Sequence, residues 1–163
     1  MVAPRPRHTV PLPAPASYDA VRFVLAIKIA ATVLLWAAPA LLLPRTWFPI
    51  VGIPEPSEAH VVFVRLLGAA YVALLTGYVL AWRGPARHPD MILVGAVSNG
   101  LAALIILRVG SGGGFESWSA LGVTYMWGSA IVAAALSIAL VVTGRPLLRK
   151  IGERPRTGSV KVA

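Results

Sequence analysis

Apolar residues dominate four stretches of this chain, about 18–43, 58–82, 90–108 and 118–143, and the interiors of these stretches contain no Asp or Glu. Polar and charged residues gather between them and at the two ends. Each stretch supplies roughly the 20 residues that a helix needs to cross a hydrocarbon core about 30 Å thick. Start signals support helices: Ser17 reads as an N-cap with Asp19 in the first turn, and Ser57 as an N-cap followed by Glu58. The pattern predicts an all-α integral membrane protein, a four-transmembrane-helix bundle.

The segments outside the spans complete this organisation. Residues 1–17 are rich in proline and carry Arg5 and Arg7, so a disordered tail is expected there. After Gly144-Arg145-Pro146, residues 145–163 read as a basic, frayed tail. The first connection, Pro44 to His60, holds Pro44, Pro49, Pro54 and Pro56 among apolar residues. Proline argues against helix or sheet, so this segment reads as a rigid connector with Trp47 and Phe48 dipped in lipid, or as a lid over an outward-facing cavity. The third connection, "GSGGGFESW", is flexible by contrast. A competing reading takes Ala38-Pro39-Ala40 as a signal-peptide cleavage site, but the apolar run continues through Leu43 and exceeds a signal core.

Charge orients the bundle. Arg5, Arg7, Arg22, Arg83, Arg87, Arg145, Arg149, Lys150, Arg154, Arg156 and Lys161 make eleven basic residues on one side, against two on the other, Arg45 and Arg108. Basic residues favour the cytoplasmic side, so both termini are expected in the cytoplasm of a cell membrane, the bacterial inner membrane by this reading. Trp47, Trp82 and Trp118 fall near the interfaces, where indole is favoured. The composition is 57% hydrophobic and 13% charged, with a net charge of +9. Because the basic residues flank apolar spans, anionic lipid headgroups explain them better than nucleic acid does.

Absences narrow the chemistry. The chain has no cysteine, which excludes disulfides, thiol redox chemistry and thiolate metal sites. His8, His60 and His88 lie in the tail, at a boundary and in a loop, so no haem is expected between helices. Clustered aspartates for a metal-dependent lipid synthase are missing too. No catalytic residue, metal or cofactor is therefore assigned.

Arg65 and Lys28 are the charges inside the spans. Both have stems long enough to snorkel to the headgroups. Arg65 also heads the row Ala69, Ala73, Gly77 and Ala81, whose small side chains would let another helix approach closely. At similar depth, Asn99 is nine residues below the outer end of the third stretch, and Tyr125 and Trp36 are seven below theirs. Arg65, Asn99, Tyr125 and Trp36 can thus form one polar layer, with Glu58 on the face of Arg65 and His60 nearby, as a small cationic pocket open to the outside. In that arrangement Asn99, Tyr125 or an anionic ligand holds the guanidinium.

"WFPIVGIPEP" followed by "FVRLLGAAYVALLTGYVLAWR", with Arg65-Leu66-Leu67-Gly68 and Tyr71, resembles uncharacterised small four-helix bacterial inner-membrane proteins loosely grouped as DoxX-like. That resemblance implies a four-helix bundle and, for some members, association with respiratory or redox complexes. It implies no active-site residue. Two functions follow as expectations: a non-enzymatic accessory or interaction subunit that packs against a larger membrane partner or itself, and a binder or carrier of a small anionic or amphipathic molecule around Arg65. An exposed small-residue face favours the first, and an enclosed polar cavity the second.

Overall fold

The computed structural model describes residues 16–53 and 55–152. Among these the chain is helical, without strands, and four helices are long and apolar enough to cross a membrane. The protein is a multi-pass four-helix bundle. The first span joins α1 (Ala16–Ala31), a π-helical segment (Thr32–Ala37) and α2 (Ala38–Leu42). A 3-10 helix follows (Arg45–Val51), then α3 (Glu58–Arg83), α4 (Pro89–Ser111) and α5 (Ala120–Gly152). In the bundle α1 lies between α3 and α5, and α4 packs along α5.

The core sits toward the end where α1 begins and α5 finishes. Val21, Leu25, Ala81, Ile92, Leu140 and Leu147 form its buried centre. Along α1 and the start of the π-helical segment, Val21, Leu25, Lys28 and Thr32 share one buried face at helical spacing, while Phe23, Ile27 and Leu34 are exposed. At the other end Phe115 is buried against Trp118, 4.8 Å between ring centroids, and lies edge-on to Trp127.

Helix boundaries follow local chemistry. Ser57 Oγ accepts from the His60 N–H, and His60 Nδ1 accepts from the Ser57 N–H, closing a capping box at the start of α3. Proline at the first position starts α4. Three expectations about boundaries need correction. α1 begins at Ala16, so Ser17 lies inside the helix instead of capping it. α4 runs to Ser111, three residues beyond the expected end. α5 continues through Pro146 to Gly152; Leu147 is anchored in the core, and that burial offsets the single backbone bond that the proline removes. The rest of the expected tails, 1–15 and 153–163, lies outside the described residues.

The first and third connections are both more ordered than their composition suggests. The proline-rich one contains the 3-10 helix Arg45–Val51, with Pro44 as its N-cap. Pro49 costs that short helix one donor without ending it, and its carbonyl still accepts from Gly52. Phe48 is buried, not dipped in lipid, whereas Trp47 is exposed. The glycine-rich connection is tied by successive turns, Gly114 N–H to Val109 O at 3.0 Å among them, with Phe115 as its anchor. The two connections meet where Ser119 donates to Ile50 O from its backbone N–H (3.2 Å) and its hydroxyl (2.9 Å). The first connection is thereby docked over the start of α5.

Candidate functional site

Arg65 does not reach Asn99 or Tyr125. Its Nη1 donates to Ala40 O at 2.8 Å and its Nη2 to Leu43 O at 2.6 Å. These carbonyls belong to the last turn of α2, where a helix runs out of donors. Pro44 deepens the deficit, because residue 44 would be the donor to residue 40 and proline has no N–H. The guanidinium supplies the missing donors and places positive charge at the negative end of the helix dipole. One turn along, Gly68 lets the two helices touch: a Cβ there would lie 2.7 Å from Leu41 Cγ and 3.1 Å from Ala40 Cβ. Arg65 and Gly68 thus act as one clamp on the end of the first span.

Tyr125 works by the same logic. Its hydroxyl donates to Leu35 O, inside the π-helical segment. The α-helical donor to residue 35 would be residue 39, which is Pro39. Prolines in one helix therefore leave carbonyls that polar side chains from α3 and α5 satisfy, as a membrane interior requires. Trp36 stacks on Tyr71 at 6.4 Å and 29°. Glu58 pairs with Arg45 at the exposed end of α3, and His60 is engaged in the capping box.

The expected layer thus splits. Arg65, Tyr125 and Trp36 all converge on the upper part of the first span, while Asn99 lies elsewhere. Glu58 and His60 serve the start of α3. The expected small-residue row splits as well: Ala81 is buried and Gly77 partly so, but Ala69 and Ala73 are exposed. The close approach inside the bundle is made by Gly68, three residues from Arg65.

Asn99 belongs to a second polar centre, built around Lys28. Lys28 Nζ donates to Asn99 Oδ1 at 2.8 Å and stands 4.4 Å from the centroid of the Tyr78 ring. Lys28 is 2% exposed, so the snorkelling expected of it does not occur. Lysine has only donors, so the Asn99 oxygen must face it and the amide nitrogen must point away. Gly95 opens the slot: a Cβ there would lie 3.1 Å from Lys28 Cε and 3.3 Å from Tyr78 Cε1. Tyr78 in turn meets Ser98 at 3.4 Å.

This centre is electrostatically incomplete. The two ion pairs among the described residues, Asp19–Arg22 and Arg45–Glu58, do not involve Lys28. A buried cation is costly unless paired, and Lys28 has one neutral acceptor and one aromatic face. Asn99 Nδ2 and Thr32 Oγ1 are buried without hydrogen-bond partners among the described residues. Thr32 lies one helical turn above Lys28 on the same face. Buried polar atoms of this kind are ordinarily satisfied by water or a ligand. The signal was present in the chain, since Lys28 and Thr32 fall on the face defined by Val21 and Leu25. The existence of Gly95 and Tyr78 opposite that face could not be read from spacing alone. No family model, no curated protein and no solved structure matches this chain.

Proposed function

We propose that this protein is a non-enzymatic accessory subunit of a membrane assembly, held in a bacterial inner membrane with both termini in the cytoplasm, and related to the DoxX-like proteins it resembles. The observation that carries this reading is the outer face of α3. Only 6% of its hydrophobic window is buried, against 28–33% in the other spans. Ala69 and Ala73 lie exposed there among Val62, Phe63, Leu66 and Val72. Small residues between bulky apolar ones let a second helix approach closely, which lipid does not require.

The absence of cysteine makes this testable without background thiols. Ala69→Cys and Ala73→Cys should each form an oxidative cross-link in native membranes, to a second copy or to another membrane protein. Leu104→Cys, on the exposed side of α4, serves as the comparison. Equal cross-linking from all three positions would sink the reading.

Orientation rests on the eleven-to-two basic asymmetry. Reporter domains fused after Arg87 and after Gly152 should be active in the cytoplasm, and one placed within Gly110–Gly114 outside it. An external reporter after Gly152 would overturn the assignment.

A second reading is favoured by the unpartnered donors near Lys28. There the protein binds a small anionic or polar solute in the middle of the bundle. This reading moves the expected ligand site from Arg65, which spends one donor of each terminal nitrogen on the Ala40 and Leu43 carbonyls, to Lys28, Asn99 and Thr32.

A further inference from the structure

A cleft of about 520 Å³ opens at the end of the bundle where α1 begins and α3 turns into α4. Tyr18, Arg22, Arg83, Arg87 and His88 line it, with Leu80 on the apolar wall. The three guanidiniums have few partners of their own. Arg22 meets Asp19 at only 4.0 Å and donates to Arg83 O at 3.4 Å, both long contacts on exposed side chains. The Tyr18 hydroxyl has no hydrogen-bond partner among the described residues. Three planar cationic forks on one cleft suit the oxygens of a phosphate, which arginine can grip with two parallel bonds.

We propose that this cleft binds the phosphate of an anionic phospholipid. Two features favour a lipid over free phosphate. The cleft lies at the end of transmembrane helices, at headgroup level. Its wall at Leu80 is 45% exposed and continues into the apolar outer surface of α3, which gives an acyl chain a path away from the headgroup. Basic pockets between helices at a membrane surface hold lipid headgroups by this combination of charge and apolar contact.

Generic attraction between a basic protein and an anionic lipid must be separated from a site. Arg145 and Arg149 provide the control, because they are exposed on the last turns of α5, are not among the residues lining the cleft, and carry the same charge. The experiment is native mass spectrometry of the full chain in detergent, titrated with phosphatidylglycerol, phosphatidylcholine or inorganic phosphate. Phosphatidylglycerol should bind more tightly than phosphatidylcholine. Arg22→Gln with Arg87→Gln should weaken phosphatidylglycerol roughly ten-fold or more, and Arg145→Gln with Arg149→Gln by less than about two-fold. Both pairs remove two exposed positive charges, so loss of folding does not confound the comparison. Equal losses from the two pairs, or no preference over phosphatidylcholine, would overturn the site. Inorganic phosphate that displaces the lipid at equal charge would overturn the lipid source and assign the cleft to a soluble phosphate.

Discussion

Asn99→Leu should destabilise the protein by roughly 1–3 kcal/mol, because it leaves the buried Lys28 ammonium without its acceptor. Lys28→Met should also destabilise it, since Asn99 Oδ1 then joins Nδ2 as an unpaired buried atom. The double variant should recover most of the loss, to within about 1 kcal/mol of the parent, because a buried polar pair replaced by apolar groups of similar volume is often neutral. The coupling is the discriminating quantity, and thermal unfolding of the four proteins in detergent measures it. Losses that simply add would mean that the 2.8 Å contact contributes nothing. If the second functional reading holds, the double variant stays folded yet no longer binds its solute. Function and stability then separate in one protein.

Arg65 gives the other large effect. Arg65→Leu removes two charge-assisted hydrogen bonds from the end of α2 and should cost roughly 3 kcal/mol. Arg65→Lys should recover only part of this, because an ammonium cannot span Ala40 O and Leu43 O as the planar fork does. A lysine variant as stable as the parent would show that the fork is unnecessary. The sequence alone suggested that Arg65 and Asn99 share one interaction, so their substitutions would not add. The structure reverses that expectation. Arg65 acts on residues 40–43 and Asn99 on residue 28, about 18 Å apart at the helical rise. Arg65→Lys and Asn99→Leu should therefore add within about 0.5 kcal/mol.

The same residues show how far the site was legible. Lys28 and Arg65 stood out in the chain because charge inside an apolar span is rare, and a rare residue invites a role. Their depth suggested snorkelling for both. Depth along a helix follows from residue number, but the direction a side chain faces follows from what packs around the helix. For Lys28 the deciding neighbours were Gly95, which leaves room, and Asn99, which accepts. For Arg65 they were Gly68 and the end of α2. The prolines at 39 and 44 could have been read further, since each removes a donor from a carbonyl four residues earlier. Which side chain would satisfy those carbonyls depended on α3 and α5 lying alongside.

The sequence by itself determined the class of object. Four apolar stretches without internal carboxylates can be satisfied in lipid only as helices, so the number of spans followed from hydrophobic pattern and backbone hydrogen bonding. The capping box at Ser57 was half legible for the same reason, because its chemistry is confined to one turn. The order in the first and third connections was not legible: proline and glycine specify what a backbone can do, and only docking onto α5 and the burial of Phe48 and Phe115 selected one conformation. Tertiary structure also divided one expected polar layer into two centres. Pairing between helices is decided by small residues that let backbones approach and by polar groups that have no other partner, and neither condition exists until the helices are side by side.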